Sequence, residues 1–144
     1  MTVPEKIELP FLHADYQKDL CVLFCRWQLP VDLGQFRDGY KAVLQLAIYK
    51  EAHFWLHDLR LRNSSTADQK QWFTSTFAAD LQRALGSNVF IAYLMSPLQH
   101  QQLLNDEDAK KHAVDGSGQP AICYYTNEHD ALEWLQECRH RVAV

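Results

Sequence analysis

After Lys50 this chain repeats one pattern three times: a short apolar run bounded by polar residues, followed by a helix signal. The runs are Ala52 to Leu59 (AHFWLHDL), Asn88 to Met95 (NVFIAYLM) and Ala121 to Thr126 (AICYYT). Each is too short for a globular helix, which favours buried strands. In the first run Phe54 and Leu56 share one parity, and His53, Trp55 and His57 the other. Bulk on both parities predicts a central strand covered on both faces. Strands alternating with helices restrict the fold to right-handed crossovers and a mostly parallel sheet.

The helix signals are specific. Val31 to Lys50 places Phe36, Tyr40, Val43, Leu44, Ala47 and Ile48 on one stripe. Gly34 and Gly39 weaken its first turns by about 1 kcal/mol each relative to Ala, which argues for a start later than Val31. Between Leu59 and Gly86 lies a polar loop and a long amphipathic helix. Ser65 is a plausible N-cap with Asp68 three residues on. Trp72, Phe73, Thr76, Phe77, Leu81 and Leu85 mark the inner face, and Gly86 ends the helix. Ser96 with Pro97 opens a short helix whose apolar face would be Leu98, Leu103 and Leu104. Asn105 to Gln119 reads as a fraying helix running into a glycine-rich loop. Asn127 caps a final helix with Asp130 at N3, and Ala131, Leu132, Trp134, Leu135 and Cys138 form its stripe.

Before the first helix, Ile7 to Asp19 reads as extended, with Leu9, Phe11, His13 and Asp15 on one parity. Leu20 to Gln28 (LCVLFCRWQ) is the next strand. The polar stretch between them predicts a hairpin. The expected order is β-β-α-β-α-β-α-β-α: an α/β single domain over 1–144, with an N-terminal hairpin and a mixed, mostly parallel sheet covered by helices.

Composition bounds the function classes. The chain has 144 residues, 47% of them hydrophobic and 12% aromatic, enough for one substantial core. Fourteen basic and 18 acidic residues give a net charge of -4, which argues against nucleic acid as a partner. No apolar run is long enough to cross a bilayer, so no membrane insertion is expected. MTVPEKIELP has no apolar h-region, so a cytoplasmic location is the default expectation. Cys21, Cys25, Cys123 and Cys138 form no CxxC pair and read as reduced thiols, mostly buried, with Cys21 and Cys25 on one strand face.

In α/β sheets, ligands bind where strands end and helices begin. The loop after Leu59 is therefore the first place to look. Its candidate residues are Asp58, Arg60, Arg62, Asn63, Ser64 and Ser65. Arg60 and Arg62 have the chemistry to clamp a carboxylate or phosphate. Alternatively, Asp58 is their internal ion-pair partner. Ser64 and Ser65 are either phosphoacceptors at a helix N-terminus or simple caps. His53 and His57 lie about 13 Å apart on a strand, too far to share a metal ion. No nucleophile elbow, P-loop or dinucleotide fingerprint is present, so no enzyme activity, cofactor or metal is expected. Trp27, with Phe36 and Tyr40, reads as core, or as the lining of an apolar pocket or a dimer surface.

WLHDLRLRNSSTADQKQWF, NVFIAYLMSP and YYTNEHDALEWLQ together resemble the STAS fold of sulfate transporters and anti-sigma-factor antagonists, and more closely the bacterial STAS/SEC14-type proteins. The resemblance in element order covers almost the whole chain, and in residues about half of it. It implies a non-catalytic, cofactor-free regulatory domain that binds a protein partner, a second copy included. Regulatory STAS domains carry an Asp-Ser-Ser/Thr-Gly-like motif with a phosphorylatable serine. Here Asn63-Ser64-Ser65-Thr66-Ala67 lacks the preceding acid and the following glycine, so the phosphoserine switch does not carry over intact. The SEC14-type kinship implies an alternative: a small apolar ligand or lipid held between a helix and the sheet.

Overall fold

A computed structural model describes residues 5–105 and 120–142. The stretch expected to fray after Asn105 lies almost wholly outside them. The described chain forms a six-stranded mixed sheet with helices on both faces, the α/β architecture that the alternating pattern predicts. Its strands are β1 (Lys6–Leu9), β2 (Leu12–Gln17), β3 (Val22–Trp27), β4 (Phe54–Asp58), β5 (Phe90–Leu94) and β6 (Ala121–Tyr125). They lie side by side in chain order. The β1–β2 and β2–β3 pairs are antiparallel, and the β3–β4, β4–β5 and β5–β6 pairs are parallel.

The N-terminal region holds two strands where the sequence predicts one extended segment. Leu9 pairs with Leu12, so Pro10 and Phe11 form a tight reversal. Proline has no N–H for a ladder and suits a turn. The reversal also inverts the expected parity. Leu12 and Ala14 point into the core, while His13 is exposed and Asp15 half-buried. The next turn contains Cys21 at φ 57°, a left-handed conformation usually given to glycine. Cys21 therefore lies outside β3 and does not share a strand face with the fully buried Cys25.

Helix α1 (Leu33–Lys50) starts after Asp32, whose carboxylate accepts from the Gln35 N–H at 2.8 Å while the Gln35 side chain accepts from the Asp32 N–H. Its inner face is Phe36, Gly39, Tyr40, Val43, Leu46 and Ala47. Ile48, expected inside, is 46% exposed, and Leu44 is only half-buried. Gly39 allows the close approach of α1 to the sheet: a Cβ there would lie 2.6 Å from Trp27 Cη2.

The long helix after β4 has three parts: α2 (Ala67–Trp72), a π-helical turn (Phe73–Phe77) and α3 (Ala78–Leu85). Its N-cap is Thr66, paired with Gln69 in a reciprocal capping box, one residue beyond the expected Ser65–Asp68 pair. Inside the wide turn the Ala78 N–H reaches back to Phe73 O. Ser75 donates its hydroxyl to Gln71 O, and Thr74 to Lys70 O, competing for carbonyls of the preceding turn. The extra width rotates the helix face. Trp72 and Phe73 are followed inward by Phe77 and Ala78, and Thr76 turns out to solvent. Gly86 at φ 79° ends the helix.

Helix α4 (Pro97–Leu104) begins at a Ser96–Gln99 capping box, as the sequence predicts. It buries none of its residues: Leu98 and Leu104 are exposed and Leu103 is half-buried, so the expected apolar face does not pack. Helix α5 (Glu128–Val142) is capped by Asn127, which accepts from the Asp130 N–H. It buries Ala131, Leu135 and Cys138.

Right-handed crossovers that step across a sheet in one direction deliver their helices to one face. Helix α1 and the α2–α3 helix pack there, over a core containing Trp27, Tyr40, Trp55, Phe77 and Ile91. Among the described residues only α5 covers the other face, over Val22, Phe24, Leu56, Ala92 and Leu94. β4 is central and packed on both sides. Among the described residues, no helix is long and apolar enough to cross a membrane.

Candidate functional site

The carboxyl ends of β3, β4, β5 and β6 lie along one edge of the sheet, together with the capped starts of α1, α2, α4 and α5. All six sequence-predicted site residues lie at this edge. A turn at 59–62, closed by the Arg62 N–H to Leu59 O at 3.0 Å, divides them into separate clusters.

Asp58 and Arg60 form the first cluster, on the α5 side. Arg60 grips Asp58 with two guanidinium bonds of 3.0 and 2.8 Å and donates its backbone N–H at 3.1 Å. Arg26, opposite Asp58 in the register, adds a bond at 3.0 Å and also reaches Glu128 at 2.9 Å. Burial favours the neutral carboxyl of Asp58. The bonds and charge of Arg60, with the Arg26 bond, outweigh it and hold the pKa below the ordinary carboxylate range. These partners make Asp58 and Arg60 an internal ion pair, the structural alternative for these residues.

Asn63 and the serines tie loops together. Asn63 accepts from the Val31 N–H at 2.9 Å and donates to Val31 O at 3.3 Å, clamping its loop to the start of α1. Ser64 is exposed and donates to the Gln102 side chain at 3.5 Å. Ser65 accepts from Arg62 Nη2 at 3.2 Å and does not cap the helix. Gln99 of α4 donates to Leu59 O at 2.8 Å and to Arg62 O at 2.9 Å, so α4 is pinned to the same turn.

Arg62 is separated from Arg60 because the turn sends it to the opposite face. Its side chain lies under the loops, 5% exposed, with Cζ 4.6 Å from the Trp27 ring and 5.1 Å from the Phe36 ring. Among the described residues no carboxylate pairs with it. Burying an ion costs several kcal/mol. Two desolvated cation–π contacts at about 2 kcal/mol each and one hydroxyl bond offset much of this. Among the described residues Arg62 Nη1 nevertheless has no hydrogen-bond partner.

Beneath Arg62 lies a polar group that the sequence reading did not identify. Trp27 Nε1 donates to Nδ1 of the fully buried His57 at 3.0 Å. Indole is a donor only, so Nδ1 is the acceptor and the ring proton sits on Nε2. Among the described residues that Nε2 has no partner. Burial, with the charge of Arg62, pushes the His57 pKa down to about 3, so the ring is neutral at physiological pH. Tyr93, opposite His57 on β5, shares a hydroxyl–hydroxyl bond of 2.9 Å with Tyr40. Burial and the neighbouring Tyr40 raise the Tyr93 pKa well above normal. Tyr124 stacks on Tyr93 at 5.7 Å, and burial pushes it up to about 12. A histidine on a parity shared with Trp55 was a usable signal, because a polar residue on a buried face needs a partner. Tyr93 becomes visible only once the β4–β5 register is known.

Trp27 itself is core, 1% exposed between Phe11, Phe36 and Tyr40. The four cysteines are free, with Cys25 and Cys138 buried and Cys21 and Cys123 half-buried. On α5, exposed His129, Asp130 and Glu133 bring ligand atoms within 4.8 Å of one another, a grouping common on acidic helix surfaces. Among the described residues neither loop serine has a histidine partner, since Ser64 meets Gln102 and Ser65 meets Arg62. No family model, curated protein or solved structure matches the chain. The functional reading therefore rests on the geometry.

Proposed function

We propose that this chain is a non-catalytic, STAS-like interaction domain that docks a cytoplasmic protein partner on the carboxyl edge of its sheet. The observation that carries this reading is a set of exposed leucines: Leu29 (50%), Leu61 (62%), Leu98 (66%) and Leu104 (54%). Scattered surface leucines are ordinary. These come from three segments tied to one another through Asn63 and Gln99, and α4 buries nothing of its own. Exposed leucines on segments held together by such bonds suit protein contact.

The alternative, an apolar ligand or lipid between a helix and the sheet, has less support. Trp27, Phe36 and Tyr40, the candidate lining of an apolar pocket, pack on one another in the core between α1 and the sheet. Among the described residues, a shallow depression at the amino edge, lined by Ala78, Leu81, Val89 and Pro120 among others, leaves no interior space even for a water-sized molecule. Pockets for drug-sized molecules hold roughly 300–1,000 Å³.

The test compares wild type with Leu61→Asp/Leu98→Asp, both confirmed as folded by circular dichroism. Affinity capture from cell extract identifies partners, and sedimentation velocity reads self-association. Wild type is expected to retain a protein, or to dimerise, where the double variant does not. Identical behaviour of the two proteins refutes this surface.

A further inference from the structure

We propose that Arg62, His57 and the Tyr40–Tyr93 hydroxyl pair form a buried receptor for a small free monocarboxylate such as acetate or propionate. The site is separate from the leucine surface, and the two readings stand or fall independently. The unmatched groups are all donors. His57 Nε2 carries the ring proton because Nδ1 accepts from Trp27, and it meets no acceptor. Arg62 Nη1 likewise meets none. In the tyrosine pair one hydroxyl donates and the other accepts, so one proton remains beyond the bond they share. Buried donors are nearly always matched. What this group lacks is an acceptor.

The donors belong to one neighbourhood. Arg62 stacks on Trp27, Trp27 bonds His57, and the His57 ring lies 5.4 Å from Tyr93. The charge of Arg62 acts on both His57 and Tyr93. It is the only fixed charge in the cluster, because His57 stays neutral. One negative charge balances it, and a phosphate dianion would leave a second charge unpaired. A planar carboxylate matches the guanidinium fork, and the aromatic surroundings suit a short apolar tail. Arg62 springs from the 59–62 turn, which places the receptor at the carboxyl edge, beneath the loops that Asn63 joins.

The test follows the Trp27 indole N–H by ¹H–¹⁵N NMR while sodium acetate, propionate, phosphate or chloride is added at constant ionic strength. Acetate or propionate is expected to shift that resonance saturably, while phosphate and chloride do not. Arg62→Met is expected to weaken the binding at least tenfold, and Arg83→Met, on the exposed face of α3, to leave it unchanged. If Arg62→Met does not fold, Tyr93→Phe takes its place, with a several-fold loss expected. No saturable carboxylate shift, an equal response to chloride, or unweakened binding in the folded receptor variant overturns the proposal. The donors then face a buried water only.

Discussion

Replacing Gly39 by alanine should destabilise this protein, although alanine is the better helix former. In an exposed helix interior the exchange gains about 1 kcal/mol. Here the added methyl carbon would lie 2.6 Å from Trp27 Cη2, 2.9 Å from Trp27 Cζ3 and 3.3 Å from Leu12 Cδ2. Trp27 cannot easily give way. It is 1% exposed, bonded to His57, and ringed by Phe11, Phe36 and Tyr40. Overpacking of a filled core costs about 1–3 kcal/mol. At 2.6 Å from a locked ring the cost falls in the upper part of that range, about 2–3 kcal/mol. Taking off the helix gain leaves a net loss of about 1–2 kcal/mol, or roughly 3–6 °C in melting temperature for a chain of this size. Gly34 is the internal control. Its nearest neighbour to an added Cβ is Asp32 Oδ1 at 3.5 Å, an ordinary contact. Gly34→Ala should be neutral or stabilising by up to about 1 kcal/mol. Urea titration monitored by tryptophan fluorescence and far-ultraviolet circular dichroism gives both values. A Gly39→Ala protein as stable as wild type would show that Trp27 moves freely and refute the account of its packing.

His57 makes stability depend on pH. Its folded pKa of about 3 lies below the ordinary histidine value of 6.5, so the unfolded chain binds the extra proton as the medium acidifies. Its contribution is full above 6.5 and falls by about 1.4 kcal/mol per pH unit between 6.5 and 3; urea titrations across this range should show His57→Gln with a flatter slope. Asp58, held below 3.8 in the fold, contributes above that value and loses its contribution as pH falls through the folded pKa. Asp58→Asn should cost about 1.5–3 kcal/mol at neutral pH, measured by chemical denaturation, and less in strong acid. Thr66→Ala should cost about 1 kcal/mol through loss of the α2 cap, whereas Asp68→Asn should change the melting temperature little; the reverse ranking would restore the Ser65–Asp68 register.

The alternation of strands and helices was legible because hydrophobic periodicity and capping residues are local signals. Ser96–Pro97, Gly86 and Asn127 all mark boundaries found in the fold. The features that were missed arise from pairing across the chain or from irregular backbone. Cys21 adopts the left-handed turn conformation without a glycine to announce it. The π-helical turn moves Thr76 outward, against a regular helical period. Arg60 and Arg62 share a parity in sequence, yet the turn at 59–62 gives one to Asp58 and the other to Trp27. The site loop was found at the right edge of the sheet, but the His57–Tyr93 pairing beneath it depends on a strand register that no single segment reveals.

Because the strands lie side by side in chain order, each finds its partner already made when it arrives. Every parallel pairing joins strands consecutive in the chain, and loop closure is a major barrier to sheet formation. Assembly can run as accretion from the N-terminal meander outward, without a late strand inserting between two earlier ones. The first core closes as each crossover helix lands. The second has to wait: Val22, Phe24, Leu56, Ala92 and Leu94 stay open to water until the Glu128–Val142 helix docks. That interval, before the last helix covers them, is when the chain is most exposed to aggregation.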